Sequence, residues 1–569
     1  MKNQRKKIVF VSAIMMGCLY GNPQSWATSS VPSSADPSRT LTQPDGYKTP
    51  QFKNAEPDKR PKAVSVPNAP QGSDTAFFIL QSIRFDGMTA YSIQEIQEIY
   101  RKDIGQKISV ARLFEIMNLV QRRYLDDGYS LSRVLMPTQD ISNGQVSLQV
   151  IEGYAAEVEM DAGLPNHPAL EEAAQRISAM RPLNTKTLER ILLILNDLPA
   201  LNVSAVLGAA QGTPSQIGGI KLILKGNPEK SRSISLGVNN HGSLYSGPFQ
   251  SNISIQQANI FGYYDEIAAT FSAAIPMSEM HYLRFKYQKP IFGASGTTLL
   301  FDTSIGRTNA GANLASLDIQ GRSQSFKTEL SYPLIRQRDE TLRLNTSAEL
   351  RTSKTDLLAT SLYTDKLRIF NIGTTYNNAD SYDGLNVAEV TYSQGFDILG
   401  AGQGAFSRIQ GRPDFKKIYA SFGRLQGLPD KYNVLFSLQG QYAFGPLFAS
   451  EEFGFGGGQM GRGYDPSEIT GDRGIAATFE LRKNLEIKGL NAALQPYGFF
   501  DFGKVWNIDP SSKNQVSAAS SGVGLRTGLS SGWSADINFS TPLTKKADKP
   551  PQYANGKASR ILLSIQKNF

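Results

Sequence analysis

The chain has 569 residues and a mass of 62.2 kDa, with 40% apolar and 19% charged residues, too long for one small domain and too mixed for a disordered chain. Its 59 Lys and Arg exceed 50 Asp and Glu by nine, but Lys2, Arg5, Lys6 and Lys7 sit in an acid-free leader, and without them 55 basic residues face 50 acidic ones, or +5. That balance excludes a polybasic nucleic-acid binder, while His167, His241, His281 and the single Cys18 are too few for a zinc or iron-sulfur site or a disulfide framework.

The first elements describe export. Lys2 to Lys7 form a basic region, Ile8 to Leu19 a short apolar core, and Ser25-Trp26-Ala27 a small-x-small cleavage pattern, so residues 1–27 are expected to be a secretory signal peptide. Met15-Met16-Gly17-Cys18 approximates the box before a lipid-modified cysteine, and lipidation of Cys18 stays open as the alternative. The most apolar later stretch, Ile191 to Ala210, is interrupted by Asn196, Asp197, Pro199 and Asn202, so it is expected as a helix followed by a strand outside hydrocarbon. Residues 28–73 carry prolines at 32, 37, 44, 50, 57, 61, 67 and 70 without apolar periodicity and read as an extended linker.

From Phe77 the pattern becomes a compact α+β unit. Phe77, Ile79, Ile83 and Phe85 alternate as a strand, Ser92-Ile93-Gln94-Glu95 is a capping box, and Ser109 opens a helix with the stripe Leu113, Ile116, Met117, Val120 and Tyr124. Strands Leu131 to Met136 and Val146 to Val150 flank the turn Asn143-Gly144. A second copy of this βααββ order follows: strand 155–160, helices 169–180 and 185–196, and strands 201–207 and 220–225.

Two segments of the first copy, Tyr124-Leu125-Asp126-Asp127-Gly128-Tyr129 and Val150-Ile151-Glu152-Gly153, resemble the polypeptide-transport-associated (POTRA) domain of two-partner secretion transporters. Leu188-Glu189-Arg190 and Leu192 to Pro199 resemble the second such domain of the same family. The expected modules are POTRA domain 1 at 74–153 and POTRA domain 2 at 154–228.

The remaining 338 residues, 232–569, consist of short alternating runs such as Leu342, Leu344, Thr346, Ala348 and Leu350 set against Arg343, Asn345, Ser347, Glu349 and Arg351. A period of two with one apolar and one charged face suits a half-buried sheet in water or a barrel with lipid outside and water inside. At about 21 residues per strand and connection this length allows about 16 strands, and 51 Gly, 23 Tyr and 29 Phe suit twisted strands with aromatic borders. The expected architecture is therefore β-dominated: a transmembrane β-barrel over 229–569, preceded by two periplasmic α+β POTRA domains. The alternating terminal segment Ile561 to Phe569 resembles the assembly signal of outer-membrane barrels, with Phe569 as its terminal aromatic.

The sequence from Phe453 to Tyr464 contains Gly461-Arg462-Gly463-Tyr464 and is followed by Gly471-Asp472-Arg473-Gly474 and Glu480-Leu481-Arg482. It resembles the Val-Arg-Gly-Tyr loop of the outer-membrane biogenesis superfamily, with Gly461 in place of Val. Phe499-Phe500-Asp501-Phe502-Gly503 resembles that superfamily's Phe-x-Asp-x-Gly strand. The resemblance implies that Arg462 pairs with Asp501 and holds a re-entrant loop, near 453–474, in the pore. It also implies a translocator of the haemolysin and filamentous-haemagglutinin secretion family, located in the outer membrane, using no cofactor and binding no nucleic acid. The partners it implies are a secreted exoprotein (a haemolysin, adhesin or similar large β-helical protein), outer-membrane lipids, and the barrel-assembly machinery during biogenesis. Family members often place an N-terminal helix in the barrel; residues 28–50 here show no amphipathic pattern, so a tether or extended insert is expected instead.

The alternatives are a barrel-assembly insertase, which generally carries more than two POTRA domains, and a diffusion porin, which has no use for the two repeats. A catalytic reading finds no support. Gly498 to Lys504 has phosphate-loop spacing, but Val505 stands where Ser or Thr is needed and the run is strand-like. Gly293-Ala294-Ser295-Gly296 is not a nucleophile elbow and is expected as a turn, and His241 as a loop residue.

Overall fold

A computed structural model describes residues 39, 69–164, 167–209, 217–228, 232–291, 293–487, 492–508, 514–544 and 558–569. The expected signal peptide, Cys18 and most of the expected linker lie outside these residues.

The first module contains β1 (Phe77–Ile79), β2 (Ser82–Asp86), α1 (Ile93–Tyr100), β3 (Lys107–Ser109), α2 (Val110–Asp126), β4 (Arg133–Leu135) and β5 (Gln145–Ile151). Ser92 accepts from the Glu95 amide while Glu95 accepts from Ser92 N at 2.8 Å, closing the capping box of α1. The strand expected across Phe77 to Phe85 is split in two. Leu80 is fully buried and its amide donates to Gln106 O (3.1 Å), whereas Gln81 N turns to Gly144 O (2.8 Å). The chain thus changes partner, with β1 pairing antiparallel to β3 and β2 running parallel to β5 in a sheet of order β2-β5-β4. The apolar stripe of α2 lies on this sheet, with Leu113, Ile116, Val120 and Tyr124 all fully buried.

The second module repeats the scheme with β6 (Tyr154–Met160), α3 (Pro168–Ala179), α4 (Thr185–Asn196), β7 (Leu201–Ala209) and β8 (Gly219–Pro228). Its sheet order, β6-β8-β7 with β6 parallel to β8, is that of β2-β5-β4.

The barrel strands follow in chain order: β9 (Arg232–Asn239), β10 (Gln250–Ala258), β11 (Glu266–Ala274), β12 (Met280–Ile291), β13 (Thr297–Asn309), β14 (Ile319–Arg336), β15 (Glu340–Leu357), β16 (Thr360–Ala379), β17 (Gly384–Gly395), β18 (Lys416–Gly427) and β19 (Tyr432–Ala443). After the short loop strands β20 (Phe453–Phe455) and β21 (Ile469–Gly471) come β22 (Arg473–Lys483), β23 (Leu485–Ile487), β24 (Ala492–Trp506), β25 (Gln515–Leu529), β26 (Trp533–Pro542) and β27 (Arg560–Asn568). β22 and β23 both pair with β24 and act as one interrupted strand, and β27 pairs with β9, so the sheet closes as a barrel of 16 strands.

The period of two divides the barrel into two faces. Leu283 and Phe285 of β12 are exposed on the outside, while Arg284 between them turns inward and donates through Nε to Asp302 at 2.9 Å. No described helix is long and apolar enough to cross a membrane, and the strands supply the crossing. Gly498 to Lys504 lies wholly within β24.

The second module sits on one rim of the barrel. Asp197, the C-cap of α4, accepts from Arg336 (2.8 Å) and Arg343 (2.8 Å), and Arg190 donates to Pro333 O at 2.6 Å. Tyr264 and Ala294, from the turns after β10 and β12, are buried within the second module's own apolar core.

Candidate functional site

The connection from β19 to β22 folds back into the barrel and lies against the inner wall of β22 and β24 to β26. β20 and β21 form its hairpin, paired from Phe453–Gly471 to Phe455–Ile469. Glycines in the wall make the seat. A Cβ on Gly474 would come within 2.1 Å of the Phe453 ring, and one on Gly503 within 2.3 Å of the Phe455 ring, so each glycine leaves the notch that an aromatic side chain fills. Gly461 has φ +80°, and its Cβ would meet Phe455 at 2.9 Å; a β-branched residue would be strained at this position in this loop.

At the tip, Arg462 and Asp501 meet in a two-point contact, Nε to Oδ2 at 3.0 Å and Nη2 to Oδ1 at 2.8 Å. Asp501 also accepts from the amides of Gly461 (3.1 Å) and Arg462 (3.0 Å) and from Thr478 Oγ1 (2.9 Å). Five donors therefore converge on one carboxylate. The remaining Arg462 nitrogen, Nη1, donates to Glu480 at 2.8 Å, and the guanidinium stacks over the Phe499 ring at 3.4 Å. Arg462 is 3% exposed and Asp501 is fully buried. An ion pair this dry holds only because nearly every polar atom has a partner. Tyr464 fixes the other side of the tip through its hydroxyl, which donates to Ala519 O at 2.8 Å, while Gly463 lets the backbone pass Ser520, where a Cβ would lie 2.8 Å from the serine Cβ.

The network extends beyond the motif residues. Glu480 accepts from Arg482 (2.6 Å) and Arg526 (2.5 Å), and Arg526 donates to Asp536 at 2.8 Å. Along β22 Phe479 and Leu481 are exposed outside while Glu480 and Arg482 between and beside them turn inward, an alternation that could have placed both in the lumen. Nothing local in the sequence points from Glu480 to Arg526, which is 46 residues away.

Gly471-Asp472-Arg473-Gly474 does not join the Arg462 cluster as a unit. Gly474 serves as the notch for Phe453, and a Cβ on Gly471 would lie 2.8 Å from Trp506 O. Asp472 lies at the loop's base, accepting from Arg408 (2.5 Å) and from the amides of Leu447 and Ile508 (2.8 Å each). Arg473 points away, donating to Ala443 O at 3.0 Å and stacking on Tyr442. A second ion cluster braces the base, where Glu451 binds Arg351 (2.7 Å) and Lys417 (2.8 Å).

Beside the loop a cavity of about 1980 Å³ extends the height of the barrel, from Asp197 and Leu198 of the second module to Ser246 and Met280 at the far end. Its wall is polar and charged. Arg39 also lines it, in helical conformation and buried, with its guanidinium against Glu452. Of the segment expected as a tether or extended insert, Arg39 is the described residue, and Glu452 gives it a buried countercharge inside the barrel. His241, expected as a plain loop residue, also lines the lumen, next to Gly458 of the loop. The described residues contain no group of side chains suited to a metal ion.

A family model described as haemolysin secretion/activation protein ShlB/FhaC/HecB matches residues 218–527, and one for the ShlB-type POTRA domain matches residues 78–153. The chain belongs to the haemolysin secretion/activation protein family. It is similar to the heme/hemopexin transporter protein HuxB of Haemophilus influenzae, 23% identical over 507 residues and covering 84% of each chain. It is also similar to the outer membrane transporter CdiB of Dickeya dadantii, 22% identical over 426 residues, covering 73% of this chain and 75% of the relative. Its fold is that of CdiB from Escherichia coli, with a TM-score of 0.75 at 19% identity over 88% of this chain and 92% of that one. CdiB from Acinetobacter baumannii gives 0.66 at 20% identity over 92% and 94%. This is an outer-membrane transporter of the two-partner secretion type, with its POTRA domains in the periplasm.

The POTRA motif residues of the transporter fasten its domains. Gly128, at φ +98°, ends α2, and its carbonyl accepts from Thr185 N (2.8 Å) and Thr185 Oγ1 (2.7 Å) of the second domain. Tyr129 packs edge-on against Tyr91 and Tyr124. Gly153 passes Leu131 so closely that a Cβ would lie 2.6 Å from the leucine Cβ. Glu152 accepts from the amides of Thr89 and Ala90 (2.9 Å each), from the Thr89 hydroxyl and from Tyr124 OH (2.7 Å). Burial raises the Glu152 carboxyl pKa, but these donors outweigh it and hold the group below its ordinary value of 4.5. The stability it contributes is therefore complete above that value and lost as pH falls through the lower folded value. Glu152→Gln is expected to cost about 1–2 kcal/mol at neutral pH, the lower part of the range for charged hydrogen bonds because the site is partly exposed. Amide exchange across residues 87–153 should show the loss at pH 7 and a smaller difference from the wild type in acid.

At the other end, the amide of Phe569 donates to Ile234 O at 2.9 Å, joining the terminal residue to β9 beside the closure.

Proposed function

We propose that this transporter binds an unfolded secreted protein at its POTRA domains and passes it through the barrel lumen, beside the anchored loop, to the cell surface. The observation that carries this reading is the polar cavity that begins at Asp197 and Leu198 of the second POTRA domain and continues to the opposite rim. A secreted exoprotein of the haemolysin, adhesin or similar large β-helical class is the cargo. Folding of that cargo outside the cell gives direction, since the periplasm supplies no ATP. Arg462, Asp501 and their neighbours hold the loop to one side, and Phe569 serves as the assembly signal read by the barrel-assembly machinery.

Capture uses the edges of the POTRA sheets. Gln121 of α2 accepts from Val134 N of β4 (2.9 Å), and Asn196 of α4 likewise binds Val203 of β7 through both backbone groups (2.5 and 2.9 Å). These contacts block part of the outer edge of each strand. Among the described residues β2 and β6 are paired on one side only, which leaves an edge of each for an extended segment to add to. A photo-crosslinking residue at Arg84 in β2 or Glu157 in β6 is expected to trap cargo in exporting cells, whereas one at Glu98 of α1 is not. Adducts at Glu98 but at neither strand would reject edge capture.

A further inference from the structure

The turn between β10 and β11, residues 259–265, has two opposite faces. On one, Tyr264 is 2% exposed inside the core of the second POTRA domain, with the His167 ring 4.4 Å from its own. On the other, Ile260, Phe261 and Tyr263 are 42, 61 and 59% exposed. These side chains project beside the outer face of the barrel. Gln288 and Pro290 of β12 line the lumen, so Tyr287 and Lys289 between and beside them point outward. Phe261 meets the Tyr287 ring edge-on at 6.1 Å, and Lys289 Nζ stands 5.7 Å over the Tyr263 ring.

The turn is stiff enough to link the two faces. Asn259 N donates to Asp265 O at 2.6 Å, Phe261 N to Asp265 Oδ1 at 3.1 Å, and Tyr264 N to Asn259 Oδ1 at 3.1 Å. Asn259, Gly262 and Tyr264 all take positive φ, which the converging hydrogen bonds hold in place.

We infer that this turn is a lipid-anchored seat: Ile260, Phe261 and Tyr263 insert at headgroup depth in the periplasmic leaflet, while Tyr264 fills the core of the second POTRA domain. Three observations select a lipid surface as the occupant. The exposed tip stands at the end of β10, whose outward face carries Ile253 and Ile255, each 45% exposed, followed by Gln257 bonded to Arg232. It lies at the rim where the POTRA domain docks, which is the periplasmic rim. An aromatic pair beside a lysine is the chemistry of a membrane interface, where rings lie among headgroups and an ammonium reaches phosphate. The depth of the turn in the bilayer and the placement of the POTRA domain are then one variable. The inference does not depend on the cargo.

The test uses the full chain in phospholipid vesicles, with Trp26, Trp506 and Trp533 changed to Phe and Phe261→Trp as the reporter. Lipids brominated near the headgroup should quench this fluorescence more than lipids brominated near the chain ends, and aqueous acrylamide should quench it weakly. Strong acrylamide quenching with no effect of brominated lipid would overturn the anchor. In the second arm, Phe261→Asp with Tyr263→Asp should raise amide exchange in α3 severalfold, approaching the effect of Tyr264→Ala, while α2 stays unchanged. Wild-type protection of α3 in the double variant would overturn the coupling.

Discussion

Asp501→Ala is expected to release the pore loop from the barrel wall and reduce export by roughly 100-fold while the barrel still assembles. The side chain accepts from five donors in a dry site, so its removal leaves the Arg462 guanidinium with Glu480 alone and strands two loop amides. Breaking a buried pair from one side costs about 3–5 kcal/mol, and about 3 kcal/mol already shifts a bound-to-free ratio by roughly 100-fold. Arg462→Ala with Asp501→Ala should be less harmful to barrel stability than Asp501→Ala alone, because no uncompensated charge remains. Protease sensitivity of a site inserted beside Gly458 reports the loop, and heat-modifiable migration reports the barrel. Equal loop protection in the wild type and Asp501→Ala would show that the pair does not hold the loop.

Gly503→Leu is expected to displace the loop by crowding rather than by charge. The Phe455 ring occupies the space that a Cβ would need, 2.3 Å away, and the strand that bears Gly503 is fixed on both sides by β22 and β25. Overfilling a packed site costs about 1–3 kcal/mol, and here the loop is the part able to move. Purified channels should then pass a larger and noisier current across planar bilayers than the wild type. Phe455→Ala added to Gly503→Leu should restore part of the loop's protease protection, and Gly474→Leu should behave in the same way through Phe453. A second variant that lowers loop protection further than Gly503→Leu alone would contradict the notch model.

The POTRA modules were largely legible because local rules and tertiary packing agree in them. The capping box at Ser92 and the stripe of α2 each correspond to an element in the structure, and the βααββ order holds in the second module, whereas in the first two short strands replace the opening one and β3 stands between the helices. The switch of partners at Leu80 was not legible, since β1 and β2 form one alternating run and only the positions of Gln106 and Gly144 divide them. Barrel alternation was readable at Leu283 and Arg284, because lipid and water impose opposite demands on neighbouring residues. Arg462 and Asp501 came from motif resemblance, whereas Arg526, Arg408 and Glu451 depend on contacts between segments far apart in sequence that no periodicity encodes. Arg39 was hidden by its surroundings, a Pro- and Ser-rich stretch whose composition suggests a tether. The entry of Tyr264 and Ala294 into a POTRA core was equally hidden, because a turn residue's apolar character does not show which domain will cover it.

The central claim is that POTRA capture and a wall-bound loop together move a secreted protein through this barrel. It is tested most directly by export of the secreted partner from cells carrying the wild type, a deletion of residues 75–153, or Arg462→Ala, with barrel levels equalised by heat-modifiable migration. The account predicts that both altered transporters remain in the outer membrane while the partner accumulates in the periplasm. Undiminished export by both, at equal barrel levels, would contradict it and leave a pore whose loop and POTRA domains are dispensable.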